Sequence, residues 1–209
     1  MDMSGGGALT TALVLVGAYL LGSMPFGYWA VLALKGEDVR AAGSGSIGTT
    51  NVWRNYGRRY GIPVVLLDIA KGFVPALVGS ILVDELTGAV AGGLAMLGHW
   101  RPLFLGFRKG GKAVATAAGT FFGIAPLLGL VALGLWLTTF LVTRYASVAS
   151  MVVASALPFA ALALGEPWPV IVFAVAAGIA VLLLHRPNLA RLRAGTENRF
   201  QLRRAARSS

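Results

Sequence analysis

The chain contains no cysteine. That excludes disulfides, thiolate metal sites and an acyl-cysteine intermediate. Charge is also scarce: 12% of the 209 residues are charged, whereas 56% are hydrophobic. A soluble domain of this size could not hide so much apolar surface in one core. No clustered set of metal ligands and no G-x-S-x-G elbow occurs, so no metal or cofactor is expected. The N-terminal MDMSGGG lacks the basic region of a cleavable signal peptide, so the first apolar run is expected to be a retained helix.

What is present is a series of apolar runs, at roughly 8–34, 62–83, 86–98, 113–143, 146–164 and 169–184. Several match the ~20 residues a helix needs to cross hydrocarbon. The expected fold is an all-α polytopic membrane protein with residues 1–209 forming a single transmembrane domain. Gly88/Gly92 and Gly119/Gly123 are small-xxx-small spacings whose default explanation is close helix packing.

The net charge of +10 is concentrated in three polar segments. Lys35, Arg40, Arg54, Arg58 and Arg59 lie in the first (about 35–61). Arg101, Arg108, Lys109 and Lys112 lie in the second (about 98–113), and seven arginines follow from Arg186 in the third (185–209). Only Lys71 and Arg144 fall elsewhere. Basic loops stay cytoplasmic, which puts the C-terminus inside and leaves the N-terminus, Asp84–Glu85 and the Glu166 segment outside. If 113–143 were one helix, the basic tail would be carried out. A break near Gly123–Pro126 repairs the parity and gives about seven crossings. A basic tail can also signal nucleic acid, but in so oily a chain the topogenic reading is preferred and no nucleic-acid partner is expected.

The same segments hold the unusual residues: GSGSIGTTNVWRNYG, GHWRPLFLGFRKGGKAVAT and HRPNLARLRAGTENR. Gly43, Gly45 and Gly48 in the first, with Gly110 and Gly111 in the second, suit backbone nests in which successive N–H groups converge on an anion. Hydroxyls and a Lys or Arg complete such a nest, and phosphate is the obvious guest. Flexible loops carrying topogenic charge are the plainer alternative. Gly106–Lys112 imitates the start of a Walker A loop, but Ala113 replaces the Ser/Thr that holds magnesium and no strand precedes it. Lys112 survives as a point charge behind a glycine pair.

His99 and His185 sit at helix ends, each followed by a proline, and neither has an aspartate five residues on. A contiguous histidine–aspartate dyad for deprotonating a hydroxyl is therefore absent. His185, Asn188 and Arg191 recur every third residue and should share a helical face. A structural hydrogen bond and a ligand contact are both open for His185. Asp68 and Lys71, three apart inside an apolar run, read first as a buried ion pair and second as support for a phosphate site.

In this company Gly22–Gly27 (GSMPFG) with GSGSIGTTNVWR, DIAKG with GHWRPLFLGFRKGGKAVAT, and HRPNLARLRAGTENR occur in order along the chain. Together they resemble the bacterial integral-membrane acyl-phosphate:glycerol-3-phosphate acyltransferases, which make 1-acyl-glycerol-3-phosphate (lysophosphatidic acid) for phospholipid synthesis. The resemblance implies seven helices, a site on the cytoplasmic face of the bacterial plasma membrane, and acyl phosphate and glycerol 3-phosphate as substrates. An enzyme that synthesises acyl phosphate is a further implied partner. By position it implies phosphate and substrate contacts at Ser44, Gly45, Thr50, Asn51, Arg54, Lys112, His185 and Asn188, with Glu197 supporting the loop. Ser46, Thr49 and Ala113 depart from the residues usual there, Asn, Ala and Gly, so the contact from Ser46 is in question. A permease for phosphate-containing anions is the rival function. It should show internal repeats and mid-span broken helices; no convincing repeat is present, and the polar motifs lie at the ends of the runs.

Overall fold

The computed structural model of the chain describes residues 4–200. Among these there are ten α-helices, two short 3₁₀ turns and no strand. In order, α1 is Ser4–Gly22, α2 Phe26–Lys35, α3 Thr49–Tyr56, α4 Arg58–Leu82, α5 Glu85–Trp100, α6 Val114–Ile124, α7 Pro126–Thr143, α8 Ala146–Ala163, α9 Trp168–Leu184 and α10 Arg186–Arg193. Arg203, Arg204 and Arg207, the far end of the third basic segment, lie outside the described residues.

The break expected near Gly123–Pro126 falls at Ala125: α6 ends at Ile124 and α7 starts with Pro126 as its first helical residue. Proline suits that place because its missing N–H would have no helical partner there anyway. The run 8–34, expected as one helix, is instead interrupted. Ser23–Pro25 separates α1 from α2 with a bend of 41°, for the same reason that Pro25 lacks a donor and disfavours helix before it.

Three helices, α4, α7 and α8, are individually long and apolar enough to cross a membrane, and the bent pairs α1/α2 and α9/α10 raise that to five. The 11 residues of α6 span about 17 Å, little more than half of a ~30 Å hydrocarbon core. Their ends are therefore surrounded by protein rather than lipid.

One group of helices packs α1, α5 and α6 around α4, and a second joins α7, α8 and α9 in sequence; α6–α7 and α5–α9 contacts link them. In hydrocarbon the association rests on close packing rather than on expelled water. A Cβ on Gly72 would enter the Thr116 carbonyl, and one on Gly119 the Ile69 carbonyl. Those two glycines let α4 and α6 touch backbone to backbone, so the packing explanation holds for Gly119. This contact fixes α6, and with it the Lys112 loop at its N-terminus.

Candidate active site

The first polar loop is built on Asn51. Its amide nitrogen donates to the carbonyls of Val39, Ala42 and Ser46 at 3.2, 3.1 and 2.9 Å. Its oxygen accepts from the Ser44 N–H at 2.9 Å and from Asn55 Nδ2 at 3.0 Å. With both ends of its side chain committed, Asn51 holds the loop and has nothing left for a ligand. Gly43 and Gly45 adopt left-handed φ of 58° and 68°, where a side chain is disfavoured. The Ser46 hydroxyl accepts from the Gly48 N–H at 3.1 Å and keeps its own hydrogen to donate.

Lys112 ends the second loop. Gly110 and Gly111 lie flat on His99, with no room for a Cβ. Their N–H groups donate to Trp100 and His99 carbonyls at 2.9 and 3.1 Å. The expected nests are therefore corrected: the amides of Ser44, Gly45, Gly48, Gly110 and Gly111 are all given to protein acceptors. These glycines shape the loops; the hydroxyls and cations remain as groups able to meet an anion, together with the first-turn N–H groups of α3 and α6, such as those of Thr49, Thr50, Val114 and Ala115, which have no acceptor within their helices. Ala113 adopts a left-handed φ of 58°.

The third segment folds over the other two. His185 follows the last residue of α9, and its Nδ1 lies 2.8 Å from the Val181 carbonyl. A carbonyl only accepts, so Nδ1 carries hydrogen, and the buried ring, on the cavity wall, keeps Nε2 free of a hydrogen-bond partner among the described residues. Asn188 accepts from Lys112 Nζ at 2.7 Å and donates to Glu197 at 2.7 Å. Glu197 also accepts from Ser147 Oγ at 2.8 Å and Arg191 Nε at 2.7 Å. Burial raises the pKa of Glu197, but hydrogen bonds from Asn188, Ser147 and Arg191 outweigh it and hold the carboxyl below its usual range. Residues 194–200 then run across the mouth: the Phe200 N–H donates to the Arg144 carbonyl at 2.8 Å, and its ring meets those of Trp53 and Phe140.

One cavity of about 360 Å³ joins these pieces. Ser44, Ser46, Gly48, Thr50, Asn51, Arg54, Lys112, His185, Asn188, Arg191 and Glu197 lie on its wall; Gly43, Gly45, Gly110 and Gly111 stand behind it. The three-residue spacing of His185, Asn188 and Arg191 does bring them to a common face. Below the polar mouth the wall becomes apolar, formed by α6, α7, α8 and α9. Burial pushes the Lys112 ammonium down to about 8; Glu197 opposes the fall, and Arg191, Lys109 and Arg54 add to it. Burial likewise lowers Arg54, whose Nε has no partner. Both stay cationic at neutral pH, and with Arg191 they outnumber the two carboxylates on the cavity wall, Glu197 and Asp68, the latter already paired with Lys71. The mouth therefore carries an excess of positive charge.

Beneath the loops lies a second polar cluster. Asp68 pairs with Lys71 at 3.0 Å, as their spacing predicts, and accepts from Thr49 Oγ1 at 3.2 Å. Lys71 also donates to the Met24 carbonyl at 3.1 Å. The Asp68 carboxylate stands 3.6 Å from His99 Nδ1, too far for a hydrogen bond. The fold thus brings a histidine and an aspartate together that are 31 positions apart in the chain, where spacing alone indicated none. The opposite edge of His99 is packed on Gly111, and both His99 and Asp68 also line the cavity. Ser147 and Ser150 are polar wall residues that the sequence did not single out; a serine in an oily helix carries no local signal.

The family described as glycerol-3-phosphate acyltransferase matches residues 12–195, and the chain belongs to it. A glycerol-3-phosphate acyltransferase of Geotalea daltonii is 45% identical over 195 residues, covering 92% of this chain and 100% of that protein. One from Aquifex aeolicus is 44% identical over 186 residues, covering 88% and 95%. Two crystal structures of PlsY (YgiH), an integral membrane glycerol 3-phosphate acyltransferase, superpose on the fold. The glycerol 3-phosphate form has a TM-score of 0.86 at 40% identity and covers 91% of this chain and 96% of that one. The lysophosphatidic acid form has a TM-score of 0.83 at 39% identity and covers 91% and 95%.

Proposed function

We propose that the chain is a membrane-embedded glycerol-3-phosphate acyltransferase whose acyl donor is acyl phosphate. The observation that carries the reading is a single cavity with unpaired cations at its mouth and an apolar slot below. A phosphorylated head and an acyl tail are what such a cavity holds. Membership of an acyltransferase family removes the permease alternative.

An acyl phosphate is an activated mixed anhydride. The glycerol 1-hydroxyl attacks the acyl carbon and a new ester C–O bond forms. The bond from that carbon to the bridging oxygen breaks, and its electron pair leaves with phosphate, which takes up the hydroxyl proton. No protein base is needed, so the chain's task is to hold two anionic substrates in register and neutralise them. Arg54 and Lys112 do the neutralising. The hydroxyls of Ser44, Ser46 and Thr50 orient the donor phosphate or the developing oxyanion. Nε2 of His185 accepts from a glycerol hydroxyl, with Asn188 beside it, while Glu197 anchors Asn188 and Arg191. The products are 1-acyl-glycerol-3-phosphate and phosphate.

The site faces the cytoplasm of a bacterial plasma membrane in this reading. The whole chain forms one domain of seven crossings, and an acyl-phosphate-synthesising enzyme supplies the donor. Single cysteines at Ser46, Ala113 and Ser208 are expected to be labelled from the cytoplasm and one at Thr87 from outside; outside labelling of Ser208 contradicts this topology. The activity itself is tested with purified protein, glycerol 3-phosphate and either palmitoyl phosphate or palmitoyl-CoA. Lysophosphatidate and inorganic phosphate should form with the first donor alone. Efficient use of the thioester would overturn the donor assignment.

A further inference from the structure

The apolar slot has a bottom. Followed away from the mouth, the wall extends to Phe121 and Phe122 on α6, Ala132 on α7, Leu157 on α8 and Ala174 on α9. One helical turn further from the mouth, Ala161 and Val170 are fully buried but no longer on the wall, and they cluster with Leu128 and Phe173. The ring of Phe173 meets that of Phe121 edge-on at 5.0 Å. The slot therefore ends against a packed plug.

Its depth follows from helix geometry. From Ser147 down to Leu157 on α8 is about 15 Å, and from His185 down to Ala174 on α9 about 16 Å, at the α-helical rise of ~1.5 Å per residue. That is about half of the ~30 Å hydrocarbon core, the depth of the single leaflet in which one acyl chain lies. Room along the slot comes from small residues: Ala154, Ala177 and Gly178 line the facing sides of α8 and α9. On α7 the wall residues Leu133 and Leu137 are each 44% exposed to the surroundings, so the slot is open sideways above its floor.

We propose that Phe121, Leu157 and Ala174 form a stop that sets acyl chain-length preference. A chain up to leaflet depth lies within the slot. A longer one must turn out past Leu133 and Leu137 and loses contact with the wall. This rests on the acyltransferase reading and adds a specificity determinant to it.

The test compares kcat/KM for decanoyl, palmitoyl and stearoyl phosphate in the wild-type protein, Ala174→Phe and Leu157→Ala. Filling the floor with Ala174→Phe should leave decanoyl phosphate well used while lowering palmitoyl relative to decanoyl by about 10-fold or more, the scale on which apolar pockets discriminate by length. Leu157→Ala should shift relative preference toward stearoyl phosphate. The KM for glycerol 3-phosphate should not move in either. Retained decanoyl turnover doubles as proof of folding. If Ala174→Phe is inactive with every donor, the Leu157→Ala profile decides alone. Profiles parallel to wild type in the active variants would overturn the stop. Wild-type protein inactive with all three donors would instead sink the acyltransferase reading.

Discussion

Lys71 and Lys112 are both ammonium groups withdrawn from water in an oily bundle, and their surroundings treat them differently. Lys71 is 1% exposed; it pairs with Asp68, donates to the Met24 carbonyl and lies over the Phe26 ring. Its charge is matched in place. Lys112 makes one hydrogen bond, to the neutral amide oxygen of Asn188, with Arg54 and Arg191 on the same wall. An unmatched charge out of water is costly, and a fold keeps it where something else supplies the counter-charge. Lys71 therefore holds shape, and Lys112 has the unmatched charge that the proposed function assigns to phosphate. Thr49 connects the two regions: it starts α3, beside the mouth, and its hydroxyl reaches down to Asp68.

The largest effect should come from breaking the matched pair. Asp68→Ala leaves Lys71 buried and alone, for a loss of roughly 3–5 kcal/mol of stability. It should appear as a large fall in the thermal midpoint of the detergent-solubilised protein. Asp68→Asn combined with Lys71→Met should recover much of it. An unchanged midpoint in Asp68→Ala would show that the pair does not hold the bundle.

At the mouth, His185→Ala should lower turnover about 10²-fold, the usual scale for losing a preorganised polar contact. His185→Gln, which keeps a hydrogen-bonding side chain, should be less damaging. Complete loss in His185→Gln, with a wild-type pH profile that requires a deprotonated base, would mean that a protein base does the chemistry.

The unmatched cation should also show itself in pH. Lys112 is charged below about 8 and neutral above it, so kcat/KM for glycerol 3-phosphate, which reports the free enzyme, should fall as pH rises through that value. In an active Lys112→Arg protein this limb should vanish, because guanidinium stays protonated. A wild-type profile that stays flat well above that pH would remove Lys112 from phosphate binding.

The smallest effect belongs to Ala113. Glycine there would relieve roughly 1–2 kcal/mol of left-handed strain and give up about 0.8 kcal/mol for one buried methyl. Ala113→Gly should leave the thermal midpoint nearly unchanged or slightly raised, and a clear drop would contradict the strain.

Much of this was legible from the residues. Gly123–Pro126 announced the α6/α7 break, and the spacing of Asp68 and Lys71 announced their pair. The polar motifs named the segments that meet at the cavity, because hydroxyls, glycines and cations have no cheaper use in so apolar a chain. What stayed hidden depends on contacts distant in sequence. The glycine loops look like anion nests until Asn51 and the helix-end carbonyls are seen to have taken their amides. Ser147 gains meaning only from Glu197, 50 residues on, and His99 meets Asp68 only when α5 packs on α4. Pro25 was visible, yet the run around it was so evenly apolar that periodicity gave no sign of a break.

The claim that the mouth carries charge held in reserve for phosphate is tested most directly by turnover of palmitoyl phosphate and glycerol 3-phosphate in purified Lys112→Ala protein whose thermal midpoint matches wild type. The account predicts a loss of about 10²-fold or more. Near-normal turnover in that properly inserted variant would contradict it.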